Sequence, residues 1–445
     1  MSFWGIALIN CYLYGVLTIT MMEEYKQRIV DESLERRLAG TGAVLIEGPK
    51  WCGKTTTAAQ HAGTIVYLDD PLHLEQNLSM ADINPQAFML GTPPVLIDEW
   101  QLAPKLWDAV RFEVDRRGKP GQFILTGSAV PAATNNIHHS GTGRFAWLTM
   151  RPMSLVESGE SSGVVSLSDL FTSQEDLSAV NDLSLSDLAF LICRGGWPYS
   201  IGLEDRIALD QARYYYDGVV HSDMSRVDGV RRNAELVKRL MRSYARHQGT
   251  QASVSTIIDD IRANDEEAAD PKTISAYLEA LRKIFVIEDA PAWNPNLRSK
   301  SATRISDTKY FADPSIAVAA LGLGPNDLME DLKTMGFLFE TLCIRDLRVF
   351  ADALDGQIYH FRDRTGLECD AVVHLRNGRY GLIEIKLGGD RLVEEGAKTL
   401  NNLAGKIDSD KMNNPSFLMV LTANGRYAYR RKDGIYVVPI GCLGK

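Results

Sequence analysis

The sequence lacks paired cysteines. Its six (Cys11, Cys52, Cys193, Cys343, Cys369 and Cys442) are scattered over 445 residues with no CxxC or CxH spacing. That argues against a zinc module or a disulfide framework, and it fits a reducing cytosol. Positive charge is also short: 48 Lys and Arg stand against 57 Asp and Glu, a formal net charge of −9. This excludes a protein that binds nucleic acid over its whole surface, so any such contact needs a local basic patch. No internal repeat or long low-complexity tract interrupts the chain. What remains is an ordinary globular composition, 45% hydrophobic and 24% charged, in a chain long enough for several domains and a substantial core.

One apolar run stands apart. Residues 3–22, "FWGIALINCYLYGVLTITMM", carry no charge, and a run of that length can span a membrane. No Lys or Arg precedes Glu23, and there is no clear small-residue cleavage site of the kind a signal peptide requires. The next segment, "MEEYKQRIVDESLERRL", reads as the charged amphipathic start of a domain. Residues 1–22 are therefore expected to be an upstream extension, with translation starting at Met21 or Met22. The protein is expected to be cytoplasmic, with no membrane partner. A membrane anchor is the competing reading.

Residues 23–205 alternate short apolar runs with helical segments, the pattern of a parallel α/β sheet. The expected strands are "AVLIE", "IVYLD", "PVLIDE", "QFILTG" and "FAWLTM". The small, polar "SGESSGVVSLSD" reads as a surface insertion. Residues 206–325 turn helical ("AELVKRLMRSYARH", "VSTIIDDIRA", "PKTISAYLEALRKI") and then briefly extended, the order of a winged helix-turn-helix. Residues 326–445 begin with the helix "MGFLFETLCIRDLRVFADAL". Strands "QIYHFRD", "ECDAVVHL" and "YGLIEIKL" follow, then a helix near 392–406 and two more strands.

"GPKWCGKTT" has the spacing of a phosphate-binding loop, Gly48, four residues, then Gly53-Lys54-Thr55, between an expected strand and an expected helix. Glycines let backbone N–H groups close on phosphate oxygens, and the helix N-terminus adds a favourable dipole. Lys54 is expected to reach the β- and γ-phosphates of ATP, and Thr55 to bind Mg²⁺. In "VLIDEW", Asp98 would hold the Mg²⁺ through water and Glu99 would polarise the attacking water, which points to hydrolysis. Thr126 or Ser128, ending another strand, would sense the γ-phosphate. Gly48, Gly53, Lys54, Thr55, Thr56, Asp98 and Ser128 make up the expected nucleotide site.

These motifs, with "LTGSA", "GRFAWLTMRPMSLVE" and "RGGWP", resemble the AAA-superfamily ATPases of bacteria and archaea. Members of that family carry a C-terminal domain of uncharacterised function with a restriction-endonuclease-like fold. The resemblance runs over residues 22–440. It implies a P-loop NTPase sheet, then a winged-helix domain, then a restriction-endonuclease-like α/β domain. It also implies that Arg144, or Arg194 as a second candidate, contacts the γ-phosphate. The competing reading of each arginine is a structural ion pair. A contact made in trans would require a homo-oligomer.

Two further features bear on nucleic acid. Arg226, Arg231, Arg232, Lys238, Arg239, Arg242 and Arg246 face only Asp228 and Glu235 in the same stretch, a local surplus of positive charge. It reads as a DNA phosphate contact or as a solvated helix face. The expected recognition helix "KTISAYLEALRKI" has few of the side chains that read base edges.

The second feature is the hairpin 367–389. Metal-dependent phosphodiester cleavage needs carboxylates on one metal and a cation near the attacking water. Glu384 and Lys386 share a strand face. A two-residue turn at Asn377-Gly378 would put Asp370 on the opposite face. A three-residue Arg376-Asn377-Gly378 loop with Gly378 left-handed pairs Leu375 with Arg379, and so sets Asp370 opposite Glu384. The second register is expected, because it gathers Cys369, Ala371, Val373, Ile383 and Ile385 on one buried face. The resemblance points to the same trio, with Asp370 and Glu384 as metal ligands and Lys386 as catalytic cation. It also matches Glu340 to an added acidic ligand. The competing reading is a polar outer face. The sequence thus leads to an ATP- and Mg²⁺-dependent ATPase joined to a nuclease-like module that acts on DNA or RNA. The alternative is a nucleotide-controlled regulatory protein that docks a protein partner without cutting.

Overall fold

The computed structural model describes residues 25–129, 140–173, 177–263, 270–294, 306–408, 410 and 412–445. The apolar run 1–22 and the expected start at Met21 or Met22 lie outside them. No helix of the described residues is long and apolar enough to cross a membrane.

The chain is mixed α/β. Five strands, β1 (Ala43–Glu47), β2 (Thr64–Tyr67), β3 (Val95–Asp98), β4 (Phe123–Gly127) and β5 (Phe145–Thr149), form a parallel sheet in the order β2-β3-β4-β1-β5. They are near-continuous apolar runs because both faces are covered. Alternate residues feed two cores. Val44, Ile46, Leu96 and Ile124 pack with helices Val30–Gly40 and Lys54–His61, while Leu45, Ile97, Phe123 and Leu125 pack with helix Lys105–Arg117. This sheet aims every strand's carboxyl end at the P-loop side.

The expected surface insertion at 158–169 is a correction. Its β6 (Val165–Ser166) pairs with β14 (Leu443–Gly444) at the far end of the chain, and the Ser161 hydroxyl donates to the Leu443 carbonyl at 2.7 Å. A Cβ on Gly444 would meet the Gly163 backbone at 2.9 Å. The small residues that look like a loop in sequence are what lets two backbones touch. β7 (Ala179–Val180) likewise joins the second sheet, so strand pairing crosses the boundary expected near residue 205.

Helices Ala234–Arg246, Val254–Arg262 and Pro271–Lys283 follow, then the antiparallel bridges Ile287–Phe311 and Ala290–Thr308. The second sheet has seven strands: β7, β8 (Gly356–Arg362), β9 (Glu368–Leu375), β10 (Tyr380–Lys386), β11 (Phe417–Thr422), β12 (Tyr427–Arg430) and β13 (Tyr436–Pro439). Their order is β7-β12-β13-β11-β10-β9-β8. Helix Leu332–Ala353 covers one face and helix Asp390–Lys406 the other. The polar outer face expected for the hairpin is therefore covered as well.

One buried ion cluster joins all three regions. Arg345, 1% exposed at its side chain, pairs with Asp313 at 2.9 Å and with Asp346 at 2.8 Å. Asp346 also accepts the Leu155 N–H at 2.9 Å, and Asp313 accepts the Gly196 N–H at 3.0 Å. Burial lifts the Asp346 carboxyl to about 6 although the guanidinium is beside it, so desolvation is the larger effect here. Arg345→Met would strand two carboxylates without a counter-charge. It should cost about 3–5 kcal/mol, read as a lower urea midpoint with loss of contact between the regions. An unchanged midpoint would mean the cluster does not join them.

Candidate functional site

The loop between β1 and helix Lys54–His61 is shaped by three left-handed backbones, Trp51 (φ 63°), Gly53 (φ 99°) and Gly48 with φ 153°. A Cβ at Gly48 would lie 2.0 Å from the Met150 carbonyl oxygen, which packs against the loop from the end of β5. The Lys54 ammonium donates to the carbonyls of Gly48 at 2.9 Å and Pro49 at 2.8 Å. Thr55 donates to Asp98 at 2.8 Å across the β1–β3 gap, and the Thr126 hydroxyl donates to the same carboxylate oxygen. Thr56 is exposed on the first helical turn.

Glu99 follows Asp98 in a left-handed backbone (φ 54°). Its carboxylate accepts hydrogen bonds from Gln101 and from Ser128, the latter at 3.2 Å. Burial pushes the carboxyls of Asp98 and Glu99 above their ordinary range. Hydrogen bonds from Thr126 and Thr55 oppose this at Asp98, and the Lys54 charge opposes it at Glu99. A carboxylate raised in this way is better suited to take a proton than an exposed one. Lys54, Thr55, Asp98, Glu99, Thr126 and Ser128 thus stand together at the carboxyl ends of three adjacent strands, where open α/β sheets place ligands.

Two expected residues stand elsewhere. Arg144 precedes β5 at the amino end of the sheet, where its carbonyl accepts the Ala43 N–H at 3.1 Å. Its guanidinium pairs with Asp115 at 2.8 Å. The P-loop lies at the opposite end of β1, so a contact from Arg144 to its own chain's nucleotide site is corrected. Arg194 is buried and pairs with Glu160 at 2.5 Å, which makes it a structural cation. Its motif serves packing. A Cβ at Gly195 would meet the Ser315 hydroxyl at 2.4 Å, and one at Gly196 the Met153 carbonyl at 2.2 Å.

Sequence reasoning missed Arg28. Its guanidinium donates to the Cys52 and Arg151 carbonyls, both at 2.8 Å, and pairs with Glu157 at 3.0 Å, bracing the P-loop from behind. Nothing local in the sequence signals a contact spanning 24 residues. Lys50, at the loop tip, pairs with Asp223 at 2.6 Å beyond helix Asp205–Gly218. In the basic stretch, Arg232, Lys238 and Arg246 are taken up by Asp228, Glu235 and Asp260.

The hairpin adopts the three-residue loop. The Leu375 N–H donates to the Arg379 carbonyl at 2.8 Å, and Gly378 is left-handed with φ 84°. Rungs run from His374–Tyr380 to Ala371–Ile383, the register expected to bring Asp370 toward Glu384. There the ladder ends, and the Asp370 carboxylate accepts the Ile385 N–H at 2.7 Å. A register shift between β9 and β8, from Val372–Tyr359 to Cys369–Phe361, turns Cys369 into the core of the opposite face, away from Ala371, Val373, Ile383 and Ile385, against the expected grouping. The Lys386 ammonium bridges Asp370 at 3.1 Å and Glu384 at 2.7 Å. Burial and then the Asp370 charge raise the Glu384 carboxyl, because one ammonium is shared between two carboxylates. Burial works against the Lys386 charge, but Asp370 and Glu384 outweigh it and hold the ammonium above its ordinary range.

Glu384 Oε1 is buried with no hydrogen-bond partner among the described residues. The Glu340 carboxylate accepts the Tyr310 hydroxyl at 2.5 Å, with Gly249 against it, and burial and then the Asp370 charge push it well above its ordinary range. Among the described residues no three His, Cys, Asp or Glu are placed to hold a metal ion, so the expected set of Glu340, Asp370 and Glu384 does not come together.

Residues 40–158 match the family model described as AAA domain. Residues 185–327 and 335–443 match two domains of unknown function, DUF8612 and DUF4143. Uncharacterized proteins of Mycobacterium bovis and Mycobacterium tuberculosis are each 25% identical over 362 residues, covering 79% of this chain and 72% of theirs. Among solved structures, the Walker-type ATPase PABY2304 of Pyrococcus abyssi shares 16% identity over 65% of this chain and 94% of its own, with a TM-score of 0.39. A STAND protein of Pyrococcus horikoshii with a tetratricopeptide repeat sensor shares 13% over 75% and 48%, with a TM-score of 0.22. The first region of the chain is an AAA-type, ATPase-like domain.

Gly48→Ala should weaken ATP binding at least about tenfold, since the added strain is of the order of 1–3 kcal/mol. Gly40→Ala, whose Cβ meets nothing within 4 Å, should bind as the wild type does. Equal affinity of both variants for a fluorescent ATP analogue would mean that this loop conformation is not the binding one.

Proposed function

We propose that the protein is a Mg²⁺-dependent ATPase that hydrolyses ATP at the carboxyl ends of β1, β3 and β4. The observation that carries the reading is the Thr55–Asp98 hydrogen bond at 2.8 Å beneath a loop with Gly48 and Gly53 in left-handed conformations. These residues fit a magnesium nucleotide: Thr55 and Asp98 would hold the metal ion, and Lys54 and the loop N–H groups the phosphates. The bound nucleotide supplies the phosphoanhydride to be cleaved. Glu99 orients and deprotonates water from a buried position, with Gln101 and Ser128 fixing its carboxylate. Arg144 would act only on a neighbouring copy's site, which makes a homo-oligomer part of this proposal. The division into an ATPase domain (23–205), a winged-helix-like domain (206–325) and a restriction-endonuclease-like domain (326–445) belongs to the same reading. Lys54→Ala should abolish ATP turnover. Glu99→Gln should keep ATP binding and lose on the order of 10²-fold in kcat. Normal hydrolysis by the Lys54 variant sinks the proposal.

A second activity is favoured by the unpartnered Glu384 Oε1 beside Asp370 and Lys386. A buried carboxylate oxygen without a donor costs free energy that a cation would recover. The reading is divalent-metal-dependent cleavage of DNA or RNA, with Asp370 and Glu384 holding the metal and Lys386 stabilising charge on the attacked phosphate. Nicking of plasmid DNA and of RNA with Mg²⁺ or Mn²⁺ should then be seen for the wild type and lost in Glu384→Ala and Lys386→Ala. Equal cleavage by all three, or none with any nucleotide present, leaves the non-cleaving regulatory protein as the better description.

A further inference from the structure

A cavity of about 340 Å³ lies where the three regions meet, within the size range of small-molecule sites. Thr149 and Arg151 reach it from the end of β5, Glu288 from the middle region, and Arg348, His374 and Arg376 from the C-terminal region. Its charges do not cancel. Four carboxylates line it, and each has a cation. Glu288 and Asp352 both take Arg151, Asp355 takes Arg36 through two bonds of 2.8 Å, and Asp289 takes Arg282 at 2.9 Å and Lys309 at 3.2 Å. Beyond these pairs, Arg348 stands 3.7 Å from Glu288, which Arg151 already holds, and Arg376 is left without an ion pair among the described residues.

Arg348 is 5% exposed, yet among the described residues its guanidinium makes no hydrogen bond. Its contacts are the Glu288 carboxylate at 3.7 Å and the face of the Tyr310 ring at 5.6 Å. Arg348 lines the cavity, where its N–H groups are open to a ligand. Arg376, at the hairpin tip, is exposed. The loosely paired Arg348 and the unpaired Arg376 offer planar guanidinium forks that suit phosphate oxygens. Tyr359 and His374 also line the cavity and stand edge to face with centroids 6.3 Å apart. Burial holds His374 below its usual range, so its ring is neutral at pH 7 and presents a π-face and not a charge.

We propose that this cavity binds a phosphomonoester of mononucleotide size, with the phosphate on Arg348 and Arg376 and the planar base against Tyr359 and His374. The site is separate from the P-loop. It is tested on the full chain carrying Lys54→Ala, so that binding at the P-loop does not contribute. Isothermal titration with AMP, ribose 5-phosphate, inorganic phosphate and adenosine should give one AMP per chain, with the three fragments each binding more weakly. Arg348→Gln and Arg376→Ala should each weaken AMP about tenfold or more, as loss of a charge-assisted bond to phosphate does. No AMP binding, or the same affinity in both variants, overturns the proposal. Ribose 5-phosphate binding as tightly as AMP overturns the assignment of the base to Tyr359 and His374. If Arg348→Gln does not fold, Arg376→Ala on the exposed hairpin tip decides alone, and undiminished AMP binding by it overturns the phosphate assignment.

Discussion

The arrangement of the three regions depends on a single buried cation. Arg345 sits between Asp313 and Asp346, and those carboxylates accept backbone N–H groups from Gly196 and Leu155. Each carboxylate therefore ties a different stretch of the ATPase-like region to the helix Leu332–Ala353 or to the turn before helix Pro314–Leu321. Buried ion clusters gain little over apolar packing of the same volume, but they penalise every arrangement that separates their members. That is the property needed where three regions that share one apolar core must meet in one register. Gly195 and Gly196 exist for the same reason, because side chains there would push Ser315 and Met153 away from the cluster.

The motifs legible in the sequence were those whose chemistry is local. The P-loop is a run of eight residues, and its strand and helix flank it directly. The hairpin register followed from counting side-chain faces across one short turn. What was not legible depended on distant partners. "RGGWP" reads as a nucleotide motif because it carries an arginine and glycines beside a P-loop. Its function in the fold is set by Asp313 and Ser315, more than a hundred residues later. Arg144 reads as an arginine finger for its own chain until the parallel sheet places it at the amino end of β5, away from the P-loop. "SGESSGVVSLSD" reads as a loop, since nothing in it announces a partner strand at residues 443–444. Cys369 changed faces because β9 carries one residue more than β8 between Val372 and Cys369, a bulge that strict alternation does not foresee.

The two carboxylate sites share a construction. In each, an apolar strand ends in acidic residues under a helix, and a lysine lies within reach. They differ in what surrounds the acids. Asp98 and Glu99 receive hydroxyl and amide donors, so their charge is supported by groups that need not move. Asp370 and Glu384 share a single ammonium, and Glu340 nearby is held by a tyrosine from the middle region. At the first site those donors and the Lys54 charge oppose, without outweighing, the burial that raises both carboxyls. The second has one negative charge more than its cation neutralises, and so favours a proton or a further cation.

The sites are joined by contacts, and the physics of those contacts decides whether they are coupled. Met150 touches the P-loop, and Arg151 beside it pairs with Glu288. Glu288 lies 3.7 Å from Arg348, Arg348 stands over the Tyr310 ring, and Tyr310 holds Glu340. Contiguity alone transmits nothing, because coupling needs an element with two arrangements that both sites bias. Arg151 has the makings of one, since it is shared between Glu288 and Asp352, on separate regions. If Glu288 were drawn toward Arg348 instead, Arg151 would keep Asp352 and no carboxylate would lose its cation. The exchange conserves charge pairing, so its cost is set by geometry and not by desolvation.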